Sequence, residues 1–222
     1  MSFYAQLVND TRAEREYLLS APAILACQRG EITLPRYLAF LTQAYYHVRH
    51  TVPLLMACGS RLDEQHRWLF DAITEYIEEE RGHDRWILSD IQQAGGDAAA
   101  VEAGQPALAT ELMVSYAWDS IQRGNPVAFF GMVLVLEGTS VNLATPMGQL
   151  IQRTLGLPDT AMSYLYSHGS LDQEHIRFFE SLMDRLDSPA DQAAVTHMAK
   201  VMYRLYGDVF RALPMEAHQD AA

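Results

Sequence analysis

Apolar positions recur at i, i+3, i+4 and i+7 along almost the whole of this 222-residue chain, and the alternating β-branched runs of strands are nearly absent. That period places one stripe of each segment against a core, and the stripe is buried by packing helix on helix. The chain is therefore expected to be all-α. Proline, glycine and capping residues divide it into eight helices: about Phe3 to Leu19, Pro22 to Gly30, Pro35 to Gly59, Asp63 to Gln93, Ala107 to Gln122, Pro126 to Leu155, Thr160 to Leu186 and Ser188 to Leu213. Pro53 should kink the third, and Asp97 to Pro106 reads as a connector.

A hydrophobic content of 49% over this length supports one sizeable core, so residues 1–215 are read as a single domain and 216–222 as a disordered tail. The formal charge of −12 and the pI near 5.0 argue against the basic stripe of a nucleic-acid binder and against an anionic membrane surface. No uninterrupted apolar run of membrane-spanning length is read, and Met1-Ser-Phe-Tyr-Ala-Gln has neither a basic nor an apolar leader pattern, so a cytoplasmic protein is expected. Cys27 and Cys58 are too few for a disulfide framework and read as buried reduced thiols.

The chemistry concentrates in three helices. In His168-Gly-Ser-Leu-Asp172-Gln-Glu-His175, positions i, i+4 and i+7 fall within roughly 60° of one another on a helix, so two imidazoles and a carboxylate share one face. Imidazole with carboxylate suits iron, manganese or zinc. Glu137 follows wholly apolar helical turns in Phe129-Phe-Gly-Met-Val-Leu-Val-Leu-Glu137, and a lone buried carboxylate there needs a cation or hydrogen-bond donors. Glu78-Glu79-Glu80-Arg-Gly-His83 offers His83 with either Glu80 at i−3 or Glu79 at i−4. Taking one glutamate beside His83 with Glu137 and the face of His168, Asp172 and His175, these segments offer three carboxylates and three histidines, the count of a dinuclear iron or manganese site. His47 and His50 lie near the core as well, with His50 read as a support behind the ligands rather than a ligand.

Two bundle families use such a set. In ferritin-like carboxylate proteins, Glu80-x-x-His83 would be one paired motif, Asp172-x-x-His175 a substituted second and Glu137 one lone carboxylate. The other lone carboxylate would fall where this chain has His50, and His168 would have no role. The chain more closely resembles the haem-oxygenase-like diiron oxidases and oxygenases, which share a seven- to eight-helix fold with thiaminase-II and the pyrroloquinoline-quinone synthase group. The resemblance lies in the His168-x-x-x-Asp172-x-x-His175 helix, in Glu137 on the preceding long helix and in Glu80 with His83 on an earlier one. The stretches from Gly30 to Tyr37 and Gln43 to Val48 are similar too. In p-aminobenzoate-forming members the early glutamate lies seven residues before the histidine, here Tyr76, whereas in undecene-forming members it lies three before, here Glu80.

The resemblance implies that Glu80, His83, Glu137, His168, Asp172 and His175 hold two Fe2+/Fe3+ ions, with Mn as the alternative metal. It also implies O2 activation, an external electron donor, a homodimer and a small organic substrate that is amino-acid-like or a fatty acid. Desaturation, C-C cleavage and N-oxygenation are the reactions it suggests. Other readings are a metal-free thiaminase-like hydrolase using a cysteine, and a non-catalytic interaction protein.

Overall fold

A computed structural model of the chain describes the backbone of residues 1–215 and every side chain among them except those of residues 168–175. Among the described residues there are twelve α-helices and no strand: α1 Phe3–Asp10, α2 Arg12–Leu19, α3 Pro22–Gln28, α4 Leu34–Val48, α5 Thr51–Arg61, α6 Leu69–Glu80, α7 His83–Gln93, α8 Ala98–Ala103, α9 Leu108–Arg123, α10 Phe129–Leu155, α11 Ser163–Arg185 and α12 Pro189–Arg211. The expected tail from Glu216 to Ala222 lies outside the described residues.

Four local events turn the eight expected helices into twelve. Thr11 ends α1 with its hydroxyl turned back onto the Leu7 carbonyl at 2.8 Å, a side-chain bond that competes with helix continuation. Pro53 does more than kink its helix. It has no N–H to give the Arg49 carbonyl, and its ring crowds that carbonyl, so the chain breaks at Arg49 and His50 and restarts with Pro53 in the first turn of α5. Between Glu80 and His83, Arg81 is extended and Gly82 takes φ 96°, a left-handed conformation that favours glycine. The helix expected to run unbroken from Asp63 to Gln93 is thus a short 3-10 turn at Glu64–His66 followed by α6 and α7. The expected connector contains α8, whose first turn is capped by the Asp97 carboxylate accepting from the Ala100 N–H at 2.9 Å.

The most apolar helix is the most central, as its composition predicts. Residues 126–155 are long and apolar enough to span a membrane, with a mean hydropathy of 1.7 in the richest window. This corrects the expectation of no such segment, because scattered Thr, Ser and Asn and the single Glu137 do not offset the Val, Leu, Phe and Met around them. Two-thirds of that window (67%) is buried within the protein. The N-terminal part of α10, Phe129 to Val135, belongs to the larger apolar cluster, with Leu7, Leu54, Ile73 and Met198. Its later part, Ala144 and Ile151, belongs to a second cluster with Tyr37, Leu41, Ile87 and Tyr164. Glu137 falls between the two.

α10 packs mainly against α11 and α12. At Gly131 the approach of α12 is so close that a Cβ would stand 2.7 Å from the Ala199 nitrogen and press on the Val195 carbonyl. Only glycine fits there without moving a helix.

Candidate metal centre

Glu137 is 8% exposed on α10, one turn beyond Val133 and Leu134. It borders a partly open cavity of about 670 Å³, adjoining solvent included, together with Glu80 from the end of α6. The remaining polar wall is His47 from α4, Thr51 from α5, Tyr76 from α6, Ser140 from α10, Tyr164 from α11 and Tyr206 from α12. Leu55, Phe129, Met132 and Leu136 close the apolar side. Two carboxylates from helices distant in sequence thus border one cavity at the seam between the two apolar clusters.

Glu80 and His83 meet despite the helix break between them. The Glu80 carboxylate lies 3.0 Å from His83 Nδ1, with the two side chains 12% and 2% exposed. The His83 ring stacks on Trp86 at 4.2 Å between centroids, which fixes its plane. Glu80 borders the cavity, and His83 reaches it through Glu80. Glu79 is half-buried and close enough to act on the Tyr76 phenol. Tyr76 is almost wholly buried. Burial first, then the negative charges of Glu137, Glu79, Glu75 and Glu80, push its pKa far above the ordinary 10.0, so it stays a phenol. Carboxylates of both α6 and α10 thus act on that phenol.

His168, Asp172 and His175 lie on α11 at side chains outside the described residues. The helix itself packs against both α10 and α7, the helices of Glu137 and His83. Its first turn is fastened to α7 by Asp90, which is 0% exposed and accepts from the Ser163 N–H at 3.1 Å and the Tyr164 N–H at 2.8 Å. Seven residues beyond His83, this carboxylate serves as the N-cap of the helix that carries the three remaining candidates. Burial raises the Asp90 pKa above 3.8, against the two N–H bonds that lower it. Among the described residues, no three of His, Cys, Asp and Glu gather as a metal-binding group. The described donors are Glu80, His83 and Glu137.

From the segment Tyr45 to His50, the cavity wall takes His47, which is 2% exposed and packs edge-on against Tyr206 with centroids 5.6 Å apart. His50 sits in the break between α4 and α5, where its Nδ1 faces the Trp118 indole N–H at 3.4 Å. Burial and the neighbouring Arg49 hold its pKa below the ordinary 6.5. Sequence reasoning named Tyr76 only as the position of the early glutamate in the p-aminobenzoate-forming members, and assigned no role to Thr51 or Ser140. Tyr76 was accessible from spacing alone, one turn before Glu80 on the same helix face; Thr51 and Ser140 gave no signal beyond being small polar residues in apolar surroundings.

A family model described as an iron-containing redox enzyme matches residues 38–207. Among solved structures, a domain with a heme oxygenase-like fold from Shewanella denitrificans superposes with a TM-score of 0.86 at 22% identity, covering 95% of this chain and 91% of that one. Heme oxygenase from Leptospira interrogans gives 0.77 at 16% identity, with 96% and 100% covered. A TenA homolog from Pseudomonas syringae gives 0.76 at 11% identity, with 95% and 91% covered. At these identities the structural likeness establishes the fold, which is haem-oxygenase-like. No curated protein matches the sequence.

Proposed function

Because the chain belongs to the family of iron-containing redox enzymes, we propose that it is a non-haem diiron oxidase or oxygenase that uses O2 to oxidise a small organic substrate. One observation carries this reading: Glu80 and Glu137, from α6 and α10, border a single pocket, and His83 is bonded to Glu80 behind it. Buried carboxylates are costly unless a cation or donors meet them, and carboxylate with imidazole is the donor set of iron in oxygen-rich sites. The donors present fit the metal. Glu80 with its bonded His83, and Glu137 from α10, do not by themselves gather as a metal-binding group among the described residues; they would meet on the metal with His168, Asp172 and His175 on α11 completing the set.

Bound iron would supply the electron transfers and O2 chemistry that no protein side chain provides. The protein contributes position and exclusion of water. Leu55, Phe129, Met132 and Leu136 line the cavity with hydrocarbon, which keeps a reactive oxidant away from bulk solvent. Tyr76, which borders the cavity, is held protonated by burial and the surrounding carboxylates and so keeps a hydroxyl proton beside the reacting space. His47 on the opposite wall offers a second polar contact to orient the substrate.

The hydrolase reading requires a reactive thiol. Burial pushes Cys27 up to about 11, with Arg36 only partly opposing it, and pushes Cys58 up to about 12. Cys58 also faces the Pro126 carbonyl at 3.2 Å rather than the metal cavity. Neither is poised as a nucleophile.

Mössbauer spectroscopy of protein reconstituted anaerobically with ferrous iron, before and after O2, tests the proposal alongside metal counting. The expected result is about two irons per chain and an O2-dependent, antiferromagnetically coupled diferric signal. A folded protein that binds no iron would overturn it.

A further inference from the structure

A second cavity, partly open and of about 830 Å³ with adjoining solvent included, lies beside the first: Ser140, Tyr164 and Tyr206 border both. Four rings run along its wall. Tyr206 meets Phe210 edge-on with centroids 5.0 Å apart, Phe210 stacks on Phe40 at 5.7 Å, and Phe40 lies tilted against Tyr164 at 6.5 Å. Ala144 and Met147 from α10 add hydrocarbon. Among the described residues that border this cavity, the charged ones are Glu31 and Arg36, and both are engaged elsewhere. Glu31 is forked by Arg29 with both N–O distances 2.7 Å, and Arg36 donates to backbone carbonyls.

The hydroxyls on the wall are not equally satisfied. Tyr37 donates to the Ala161 carbonyl at 2.9 Å, Thr139 to the Val135 carbonyl at 2.5 Å and Ser140 to the Glu137 carbonyl at 3.0 Å. Tyr206 has no hydrogen-bond partner among the described residues, although it is only 7% exposed. Burial alone raises its pKa above the ordinary 10.0, so it stays a phenol with a proton to donate. Its oxygen is not one of the unpaired atoms sealed within the protein, so it meets open space, and the space that Tyr206 borders is the two cavities. A buried O–H without an acceptor is costly, and a buried tyrosine ordinarily finds one.

We propose that the second cavity binds a neutral, mainly apolar ketone, whose carbonyl oxygen accepts from the Tyr206 hydroxyl and whose carbon frame lies against Phe40, Phe210, Ala144 and Met147. A ketone accepts a hydrogen bond and brings no donor of its own, so it satisfies Tyr206 without adding an unpaired O–H, as an alcohol would. Its carbonyl then stands where the second cavity meets that of Glu80 and Glu137. The binding stands on the cavity and Tyr206; the claim that the ketone is the molecule oxidised rests on the diiron reading above.

Benzophenone, diphenylmethane and diphenylmethanol share one frame and differ at the linking carbon. Titration calorimetry of the full chain with each of them tests the site while iron is counted on the same samples. Tyr206→Phe keeps the ring and removes the donor. The ratio of benzophenone to diphenylmethane affinity should be about tenfold higher in the unaltered protein than in this variant, with diphenylmethanol between the two. Ala144→Phe, which fills the cavity, should weaken all three alike. A further readout needs no ligand: because the free hydroxyl has no partner, Tyr206→Phe should unfold in urea at a midpoint no lower than that of the unaltered protein, whereas loss of a structural bond would lower it.

An unchanged affinity ratio in Tyr206→Phe, failure of all three compounds to bind, binding that survives Ala144→Phe, or a lowered urea midpoint in Tyr206→Phe would overturn the site whatever the iron content. Absence of iron with the binding pattern intact would instead refute the diiron reading and leave the ketone site standing.

Discussion

Replacing Asp90 by alanine should weaken both the fold and the metal centre, because one carboxylate joins the two. Asp90 is 0% exposed and accepts the Ser163 and Tyr164 N–H groups at 3.1 and 2.8 Å. Alanine leaves both donors without an acceptor, the second of them at a residue only 8% exposed. Losing an N-cap costs ~0.5–2 kcal/mol, and leaving a buried donor unsatisfied costs ~1–3 kcal/mol. The net carboxylate contribution is reduced by its own burial, so a loss of about 2 kcal/mol is expected in urea unfolding. Iron affinity should fall as well, since α11 carries His168, Asp172 and His175. The Asp90→Asn variant adds a check on sign. Burial raises the Asp90 pKa above 3.8, so the folded state binds the proton more tightly than the unfolded chain. Stability from such a group is present below the unfolded pKa and falls as pH rises through the folded one. The advantage of the wild type over Asp90→Asn should therefore be largest in acid and narrow towards neutrality. An Asp90→Ala protein as stable as the wild type, with unaltered iron binding, would refute the idea that this cap joins the halves of the site.

Glu137→Gln keeps shape and removes charge, so metal counting should find iron loading sharply reduced while circular dichroism shows helicity intact; full loading would remove Glu137 from the site. Glu79→Ala should leave iron content unchanged if Glu80 is the ligand, and a loss in this variant alone would move the assignment by one residue. Gly131→Ala should cost about 2–3 kcal/mol in chemical denaturation by forcing α10 and α12 apart, despite the gain of ~1 kcal/mol in helix propensity; a stabilised variant would contradict the close approach measured there. His66 bridges Asp63 and Asp191 at 2.6 and 2.9 Å. Burial alone would lower its pKa, but the bonds to Asp191 and Asp63 outweigh it and raise it above 6.5. Its contribution is complete below that value and is lost as pH rises through the raised one, so the stability gap between wild type and His66→Gln should shrink on the alkaline side.

The helical period settled the fold class, because it recurs through every element from Phe3 to Leu213, and the burial of Glu137 followed from the apolar turns before it. Helix continuity was harder to read. Period persists across Thr11, Arg49–His50 and Arg81–Gly82, since each break reorients the chain without altering which residues are apolar. The breaks are decided by single backbone facts: a hydroxyl turned onto a carbonyl, a missing N–H, a glycine at positive φ. The wall of the site was partly legible. Glu80 and His83 were found from their spacing, but His47 and Thr51 come to the cavity from either side of a break that the sequence pattern does not display. A second apolar cavity, lined by Tyr37, Phe40, Ala144 and Met147, could not be read at all, because these residues carry the same signal as ordinary core residues and only packing leaves space between them.

The break at Arg81 and Gly82 also bears on the proposed cation beside Glu80. Glu78, Glu79 and Glu80 form the last residues of α6, and His83 is the first of α7. Acidic side chains are stabilised at helix N-termini, so the glutamates that end α6 run against its dipole. An unbroken helix through His83 would have diluted that conflict by moving them into a helix interior. Instead the left-handed Gly82 ends one helix and starts the next at the site itself, leaving the α6 carbonyl end and three carboxylates on one side. A positive ion held by Glu80 would satisfy the carboxylate and the carbonyl end together. Local rules are broken where function requires it, and here the violation coincides with the cavity that Glu137 enters from the opposite helix.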